Sequence, residues 1–245
     1  MSHFTVAVIT KDVGELERLL EPYYEGLETE PRIDMTKQQL VDEHKYLMEG
    51  IRNKTITYLV ERNREEKLLD MTQEEFSEWY HGGTFDSEGN LLTTYNPNSK
   101  WDWYVVGGRW SNLLKLKDGS RADYAKIKNI DFTPDKVAYD EAIKFWEIVV
   151  EERPLTEGEE EPFSLYRKEY YLDQYGTKER YAEQQAKFMT FALLYEGEWY
   201  EKGNMGWFGM SDVTNEGRLE YEQIFDRILS EADGEDYLVI VDCHI

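Results

Sequence analysis

The chain has 245 residues, and its 51 acidic against 28 basic side chains give a formal net charge of −23 at pH 7. This length suffices for one large domain or two small ones, and an aromatic content of 14% argues against disorder because such rings bury much apolar area. The apolar runs are too short to cross a bilayer, and we predict no membrane partner. A negative field repels phosphate backbones, so direct nucleic-acid binding is not expected.

The single cysteine, Cys243, excludes an internal disulfide and a zinc site made of cysteines alone. No basic-then-apolar leader opens the sequence. Both features favour a reducing, cytoplasmic environment. The acidity has two interpretations, which composition does not separate. It keeps the protein soluble, or it presents carboxylates where a nucleic-acid-binding protein expects phosphates.

The elements predicted from hydrophobic periodicity and capping residues begin and end with a strand. The apolar, β-branched segment 3–9 is typical of a strand, and Asp12 can cap a short helix after it. A capping box opens a helix at Thr72. Turn signals between residues 84 and 130 predict β-hairpins. Longer helices are predicted over residues 36–51, 134–152, 164–174, 177–195 and 216–232, and a final strand over 236–245.

The order of these elements suits an α+β fold with a ferredoxin-like antiparallel sheet, in which the first and last strands are adjacent. We predict one domain over residues 1–245, with helical insertions at about 34–81 and 134–195. Antiparallel pairing places the start of one strand beside the end of the other. His3 is therefore predicted to lie beside His244, with both imidazoles open to one cavity.

The segment His3-Phe4-Thr5-Val6 carries the first candidate chemistry. Strand alternation sends His3 and Thr5 to one face, where an imidazole and a hydroxyl can together hold a phosphate. This pattern resembles one half of the motif of the two-histidine phosphodiesterase superfamily. Its members use a pair of such motifs on a central sheet to cleave phosphodiesters without a metal. The second half here would be His244, which is followed only by Ile245 and lacks the paired Ser or Thr.

Asp242-Cys243-His244 allows an alternative, because a carboxylate and an imidazole on one strand face could join His3 in a metal site. The sequence has no further close-spaced ligand pair, so we predict no metal and no cofactor. Cys243 is expected to be a small buried side chain rather than a nucleophile.

The segment from Asn96 to Trp110, NPNSKWDWYVVGGRW, concentrates three tryptophans beside one arginine. Trp101 and Trp103 are predicted on one strand face, with Asp102 and Tyr104 on the other. The two glycines before Arg109 allow a bulge or a close backbone approach, and the arginine can hold an anion. Stacking aromatics beside such an arginine suit a nucleotide pocket, although core packing explains the tryptophans as well.

A second aromatic and glycine-rich segment, EWYEKGNMGWFGM, covers residues 198–210 and predicts a tight loop or short hairpin. Lys202, Trp207 and Met210 could line a ligand site, or the loop could simply pack on its own aromatics.

Four blocks together resemble an uncharacterised family of bacteriophage- and prophage-encoded proteins. They are the opening MSHFTV, the central NPNSKWDWYVVGGRW, the later EWYEKGNMGWFGM and the closing VDCHI. The resemblance implies a phage-related protein in the host cytoplasm, without an activity to carry over.

Three functions follow as hypotheses. The first is a metal-independent phosphodiesterase acting on a small cyclic nucleotide, such as a host immune signal. The second is a protein that sequesters this nucleotide without cleaving it. The third is an acidic decoy or DNA mimic that binds a host protein. The predicted catalytic residues are His3, Thr5 and His244, and the predicted ligand-binding residues are Trp101, Trp103, Tyr104, Arg109, Lys202 and Trp207. The sequence does not indicate an oligomeric state.

Overall fold

The structure is a computed structural model that describes residues 2–206 and 210–245. The chain divides into two compact units. One unit comprises residues 1–24 and 100–245, and the other comprises residues 25–99. Both mix helices and strands. Within the described ranges, no helix is long and apolar enough to cross a membrane.

The first unit is built on a six-stranded sheet. Its strands are β1 (His3–Thr10), β5 (Trp103–Val106), β8 (Tyr124–Lys126), β9 (Ala192–Tyr195), β10 (Glu198–Glu201) and β11 (Tyr237–His244). The order is β10-β9-β1-β11-β5, and β8 also pairs with β11. Two short strands, β6 (Leu114–Lys115) and β7 (Arg121–Ala122), form a separate hairpin. The unit also contains the helices α1 (Leu16–Leu20), α6 (Lys136–Val149), α7 (Lys168–Tyr175), α8 (Lys178–Ala186) and α9 (Asn215–Glu231).

The pairing of β1 with β11 is antiparallel over eight residues, with His3 opposite His244 and Thr10 opposite Tyr237. The predicted adjacency of the first and last strands is therefore confirmed. The mixed α and β composition is confirmed as well, whereas the finer ferredoxin-like arrangement stays a prediction. The sheet itself is mixed rather than wholly antiparallel, because β9 runs parallel to β1. Parallel neighbours need a long crossover, and nearly the whole chain separates these two strands.

Alternation along β1 and β11 divides the core into two layers. Phe4, Val6 and Val8 face one layer, to which α1 contributes Leu16 and Leu20. Ala7 and Ile9 face the other layer. α9 covers that second face with Tyr221, Phe225 and Ile228. Since the period is two, His3 and Thr5 share the α9 side with Ala7.

Residues 192–195 correct the sequence prediction. We expected a helix from 177 to 195, but α8 ends at Ala186 and residues 192–195 form β9, buried between β1 and β10. A short apolar run buried on both faces has no periodicity that separates strand from helix, so the preceding helical pattern was extended too far.

The elements of the second unit are β2 (Arg32–Met35), α2 (Lys37–Arg52), α3 (Tyr58–Arg62), α4 (Glu65–Asp70), α5 (Gln73–His81), β3 (Thr84–Phe85) and β4 (Leu91–Thr93). The three strands form a sheet of order β2-β4-β3. The predicted capping box at Thr72 is confirmed, since its hydroxyl accepts the Glu75 N–H and the Glu75 carboxylate accepts the Thr72 N–H. The core of this unit includes Leu47, Ile51 and Phe76. The prediction that both units form one domain stays a prediction.

Candidate functional site

Two imidazoles meet at the end of the central sheet. His3 begins β1 and His244 ends β11, and the register places them directly opposite each other. Their ring centres are 5.1 Å apart, with the planes at 78°. Two residues separated by almost the entire chain thus form one cluster, as the sequence predicts.

Asp242 orients the imidazole of His3. Its Oδ1 accepts a hydrogen bond from His3 Nδ1 at 2.8 Å, and its Oδ2 accepts the backbone N–H of Arg109 at 3.0 Å. The carboxylate is almost completely buried, with 2% of the side chain exposed. A carboxylate accepts but does not donate, so the proton of this hydrogen bond belongs to Nδ1 and the lone pair of neutral His3 lies on Nε2.

Gly108 makes room for this carboxylate. Its φ is +53°, and a Cβ on this residue would lie 2.5 Å from the Cβ of Asp242 and closer still to Oδ2. Only glycine provides both the left-handed backbone and the missing side chain. The close backbone approach predicted for the glycine pair before Arg109 is therefore present, and the side chain that approaches is Asp242.

Asp102 orients the second imidazole in the same way. Its Oδ1 accepts a hydrogen bond from His244 Nδ1 at 2.6 Å. His244 Nε2 is buried and has no hydrogen-bond partner among the residues described. The two histidines thus form two histidine–carboxylate pairs, and each pair directs Nε2, the nitrogen available for chemistry, away from its carboxylate.

The rings are shielded to different degrees. The side chain of His3 is 11% exposed and that of His244 is 6% exposed. Trp103 stacks on His244 at 5.1 Å and meets His3 edge-on at 5.3 Å, and 43% of its own surface is exposed. Trp103 therefore covers His244, and a ligand would have to displace this indole to reach that imidazole.

The aromatic residues of the central block do not share the predicted faces. Trp101 is buried and donates its indole N–H to the Leu20 carbonyl at 3.1 Å. It packs edge-on against Tyr104 at 5.1 Å, on the core side. The prediction that Trp101 and Trp103 share a face is wrong because β5 begins only at Trp103, so residues 101 and 102 do not follow its alternation.

A groove of about 700 Å³ lies beside the pair formed by His244 and Asp102. Its lining includes Trp101, Trp103, Tyr104, Glu17, Glu21 and Asp102. Its one guanidinium, that of Arg18, is ion-paired with Glu15 at 3.2 Å. Burial, and then the charge of Glu17, raise the pKa of Tyr104. The groove is thus aromatic and acidic. Neither imidazole lines it, so the predicted cavity shared by both rings is not this groove.

Thr5 and Arg109, the predicted phosphate contacts, both lie next to Asp242. Thr5 is opposite Asp242 in the register, and its Oγ1 accepts the backbone N–H of Phe191 at 3.2 Å. Arg109 is exposed, and its guanidinium has no hydrogen-bond or ion-pair partner within the described ranges. In so acidic a chain, an unpaired arginine is available to an anion.

The second aromatic segment lies at the same end of the sheet. The backbone N–H of Lys202 donates to the Phe191 carbonyl, and that of Phe191 donates to the Thr5 carbonyl. Ser2 Oγ donates to the Gly206 carbonyl at 2.8 Å. Trp207, also predicted to bind ligand, lies outside the described residues.

Sequence reasoning missed the roles of Asp102 and Asp242 as partners of the imidazoles. Asp242 and His244 lie two residues apart on one strand, and this spacing was a usable signal of a carboxylate near the imidazoles. Asp242 nevertheless binds His3 on the neighbouring strand, and His244 is bound by Asp102. No group of three or more His, Cys, Asp or Glu side chains that could hold a metal ion occurs within residues 2–206 and 210–245.

The fold and this cluster define a mixed α and β protein that carries two histidine–carboxylate pairs on neighbouring strands. No protein-family model, curated protein or solved structure matches the chain.

Proposed function

We propose that the chain binds a small nucleotide at the end of the central sheet and hydrolyses its phosphodiester with His3 and His244. The observation that carries this proposal is the pair of imidazoles whose Nδ1 atoms are both held by carboxylates, with ring centres 5.1 Å apart. Two histidines oriented in this way can serve as general base and general acid near neutral pH.

In the proposed reaction, neutral His3 accepts a proton at Nε2 from water as the water oxygen bonds to phosphorus. Protonated His244 donates its Nε2 proton to the leaving oxygen as the ester P–O bond breaks. His3 takes up the proton that the water loses, and His244 supplies the proton that the leaving oxygen gains. The proposed proton transfers therefore balance without a metal. The guanidinium of Arg109 and the hydroxyl of Thr5 stabilise the charge on the phosphate oxygens.

The groove beside Asp102 suits the base of the nucleotide rather than its phosphate. Trp103 offers an exposed ring for stacking, and the carboxylates of Glu17 and Glu21 can accept hydrogen bonds from amino groups of a base. Those carboxylates repel phosphate, which is directed instead toward Arg109. The resemblance to phage proteins makes a cyclic nucleotide signal of the host the class of substrate to test first.

The test is incubation with a panel of cyclic di- and oligonucleotides, followed by chromatography. We expect new products that disappear in His3→Ala and His244→Ala. The matched control is His81→Ala, because His81 also pairs with a carboxylate, that of Glu43 at 2.7 Å, but belongs to the other unit. Products that persist in both cluster variants, or that are lost equally in the control, would refute the assignment.

Sequestration without cleavage is the second candidate, and the burial of His244 favours it. Trp103 covers that ring, whereas Trp103 and Arg109 are themselves exposed. In this case intact ligand is recovered only after heat denaturation. His3→Ala then keeps binding, while Trp103→Ala and Arg109→Gln lose it. The absence of binding to every nucleotide in the panel would reject both candidates.

A further inference from the structure

Two cations beside the first turn of α9 have no carboxylate partner in the part of the chain that the structure describes. Arg218 is the fourth residue of this 17-residue helix, and Lys202 directly follows β10. A Cβ on Gly217 would lie 3.1 Å from the Lys202 carbonyl oxygen, so the end of β10 and the start of α9 are in close contact. Of the two, only Lys202 was a predicted ligand-binding residue.

Arg218 is 9% exposed, and only some of its N–H groups donate hydrogen bonds to the described residues. Its Nη2 donates to the Gln174 carbonyl at 2.9 Å and to Asn215 Oδ1 at 2.6 Å. Its Nε and Nη1 are buried and have no acceptor among the described residues. The guanidinium also lies 4.9 Å from the centre of the Tyr175 ring. A guanidinium has five N–H groups, and here the acceptors reach only Nη2.

Lys202 is half-buried, and its Nζ lies 5.3 Å from the centre of the Phe191 ring. Within the described part of the chain, Nζ has neither a hydrogen bond nor an ion pair. Burial, and then the charge of Arg218, lower the pKa of Lys202. The backbones of the two residues are close, because Gly217, which precedes Arg218, contacts the Lys202 carbonyl oxygen.

The neighbouring carboxylate does not neutralise this pair. Glu201 precedes Lys202, but its Oε1 accepts from Lys100 Nζ at 2.5 Å and its Oε2 accepts from the indole N–H of Trp199 at 2.9 Å. The chain has 51 acidic residues, yet among the residues that the structure describes these two shielded cations have no counter-ion. Such an arrangement is unfavourable unless an anion completes it.

We propose that Lys202 and Arg218 form a binding site for a phosphate group. The ammonium and the guanidinium together match the two negative charges of a phosphate dianion, and the free Nε–H and Nη1–H groups supply hydrogen bonds to its oxygens. The positive end of the α9 dipole, one turn away, adds to the attraction. This site is separate from the imidazole cluster and does not depend on the function proposed for it.

The test is calorimetric titration with inorganic phosphate at constant ionic strength, with sodium acetate as the second titrant. We expect the wild-type chain to bind phosphate and to bind acetate far more weakly. Lys202→Gln removes one charge-assisted hydrogen bond and should weaken phosphate binding about tenfold or more. The matched control is Arg227→Gln, which removes an exposed cation from the same helix.

A second readout does not require a buried residue to be replaced. Because its pKa is lowered, Lys202 should react faster than the exposed lysines with an amine-acylating reagent, and phosphate should protect it. Mass spectrometry of the labelled chain measures both effects. His3→Ala should retain the phosphate response, which distinguishes this site from the imidazole cluster.

Several outcomes would overturn the proposal. They are the absence of phosphate binding, equal binding of phosphate and acetate, equal losses in Lys202→Gln and Arg227→Gln, or labelling of Lys202 that phosphate does not change.

Discussion

The sharpest test of the imidazole cluster is Asp242→Asn, a substitution that keeps the shape of the side chain but changes what it can accept. The carboxylate now accepts hydrogen bonds from His3 Nδ1 and from the Arg109 backbone N–H. An asparagine has one acceptor oxygen, which can serve the Arg109 N–H. Its amide NH₂ then faces His3 and can only donate. His3 must either lose this hydrogen bond or move its proton from Nδ1 to Nε2.

The expected loss of stability follows from the burial of this group. The carboxylate is 2% exposed, so water cannot replace the lost partner. A hydrogen bond to a charged group contributes about 1.5–3 kcal/mol net. Since about 1.4 kcal/mol changes an equilibrium tenfold, the ratio of folded to unfolded chains should fall by a factor of about 10 to 150. For a chain of this size, Tm should fall by roughly 3–12 °C.

Denaturant unfolding measures the loss, and ¹⁵N NMR of the His3 ring reports the tautomer. We expect the proton on Nδ1 in the wild-type chain and on Nε2 in the variant. Asp236→Asn is the control, because Asp236 directly precedes the same strand and its side chain has no partner within the described residues. It should change stability by no more than about 0.5 kcal/mol. If Asp242→Asn were equally mild, or if His3 of the wild-type chain carried its proton on Nε2, the proposed orientation of this imidazole would be wrong.

Three further predictions test the packing around the cluster and the core. Gly108→Ala should lower the free energy of unfolding by about 2–5 kcal/mol in a denaturant melt, because a left-handed backbone and contact with Asp242 both oppose the methyl group. Gly119→Ala, at φ +86° in open space, should cost only the backbone part, and equal losses would contradict the argument. Cys243 is buried, which raises the pKa of its thiol well above the usual range. A disulfide reagent at pH 8 should therefore label no thiol in the native chain and one after unfolding. The thiol of the unfolded chain ionises above about pH 8.5, while the buried thiol of the native chain does not. The free energy of unfolding should therefore fall above this pH by about 1.4 kcal/mol per pH unit. The Cys243→Ser variant should lack this pH dependence. Burial raises the pKa of Tyr181 to about 12. An ultraviolet titration of the Tyr181→Phe variant should therefore lack one tyrosine that ionises near this pH in the wild-type chain.

Local sequence patterns were sufficient for several elements. The β-branched run at the start, the apolar run before His244 and the capping box at Thr72 each depend on neighbours in the chain, and each corresponds to the observed element. The adjacency of the two terminal strands also followed, because the element order restricts which strands can pair.

Residues 192–195 and Trp101 show where local patterns fail. A buried run of four residues became a strand because β1 and β10 satisfy its backbone groups on both sides. Trp101 is on the core side because it precedes β5, and its indole N–H finds an acceptor in Leu20, 81 residues away in the sequence.

The sequence by itself determined which residues form the terminal strands and which of their side chains share a face, since both follow from a period of two along a short segment. Only the tertiary structure decided that Asp242 holds His3 while Asp102 holds His244, and that Lys202 lies beside the first turn of α9. These contacts join residues far apart in the chain, and their partners are chosen by strand register and helix packing, which depend on the whole core rather than on any local pattern.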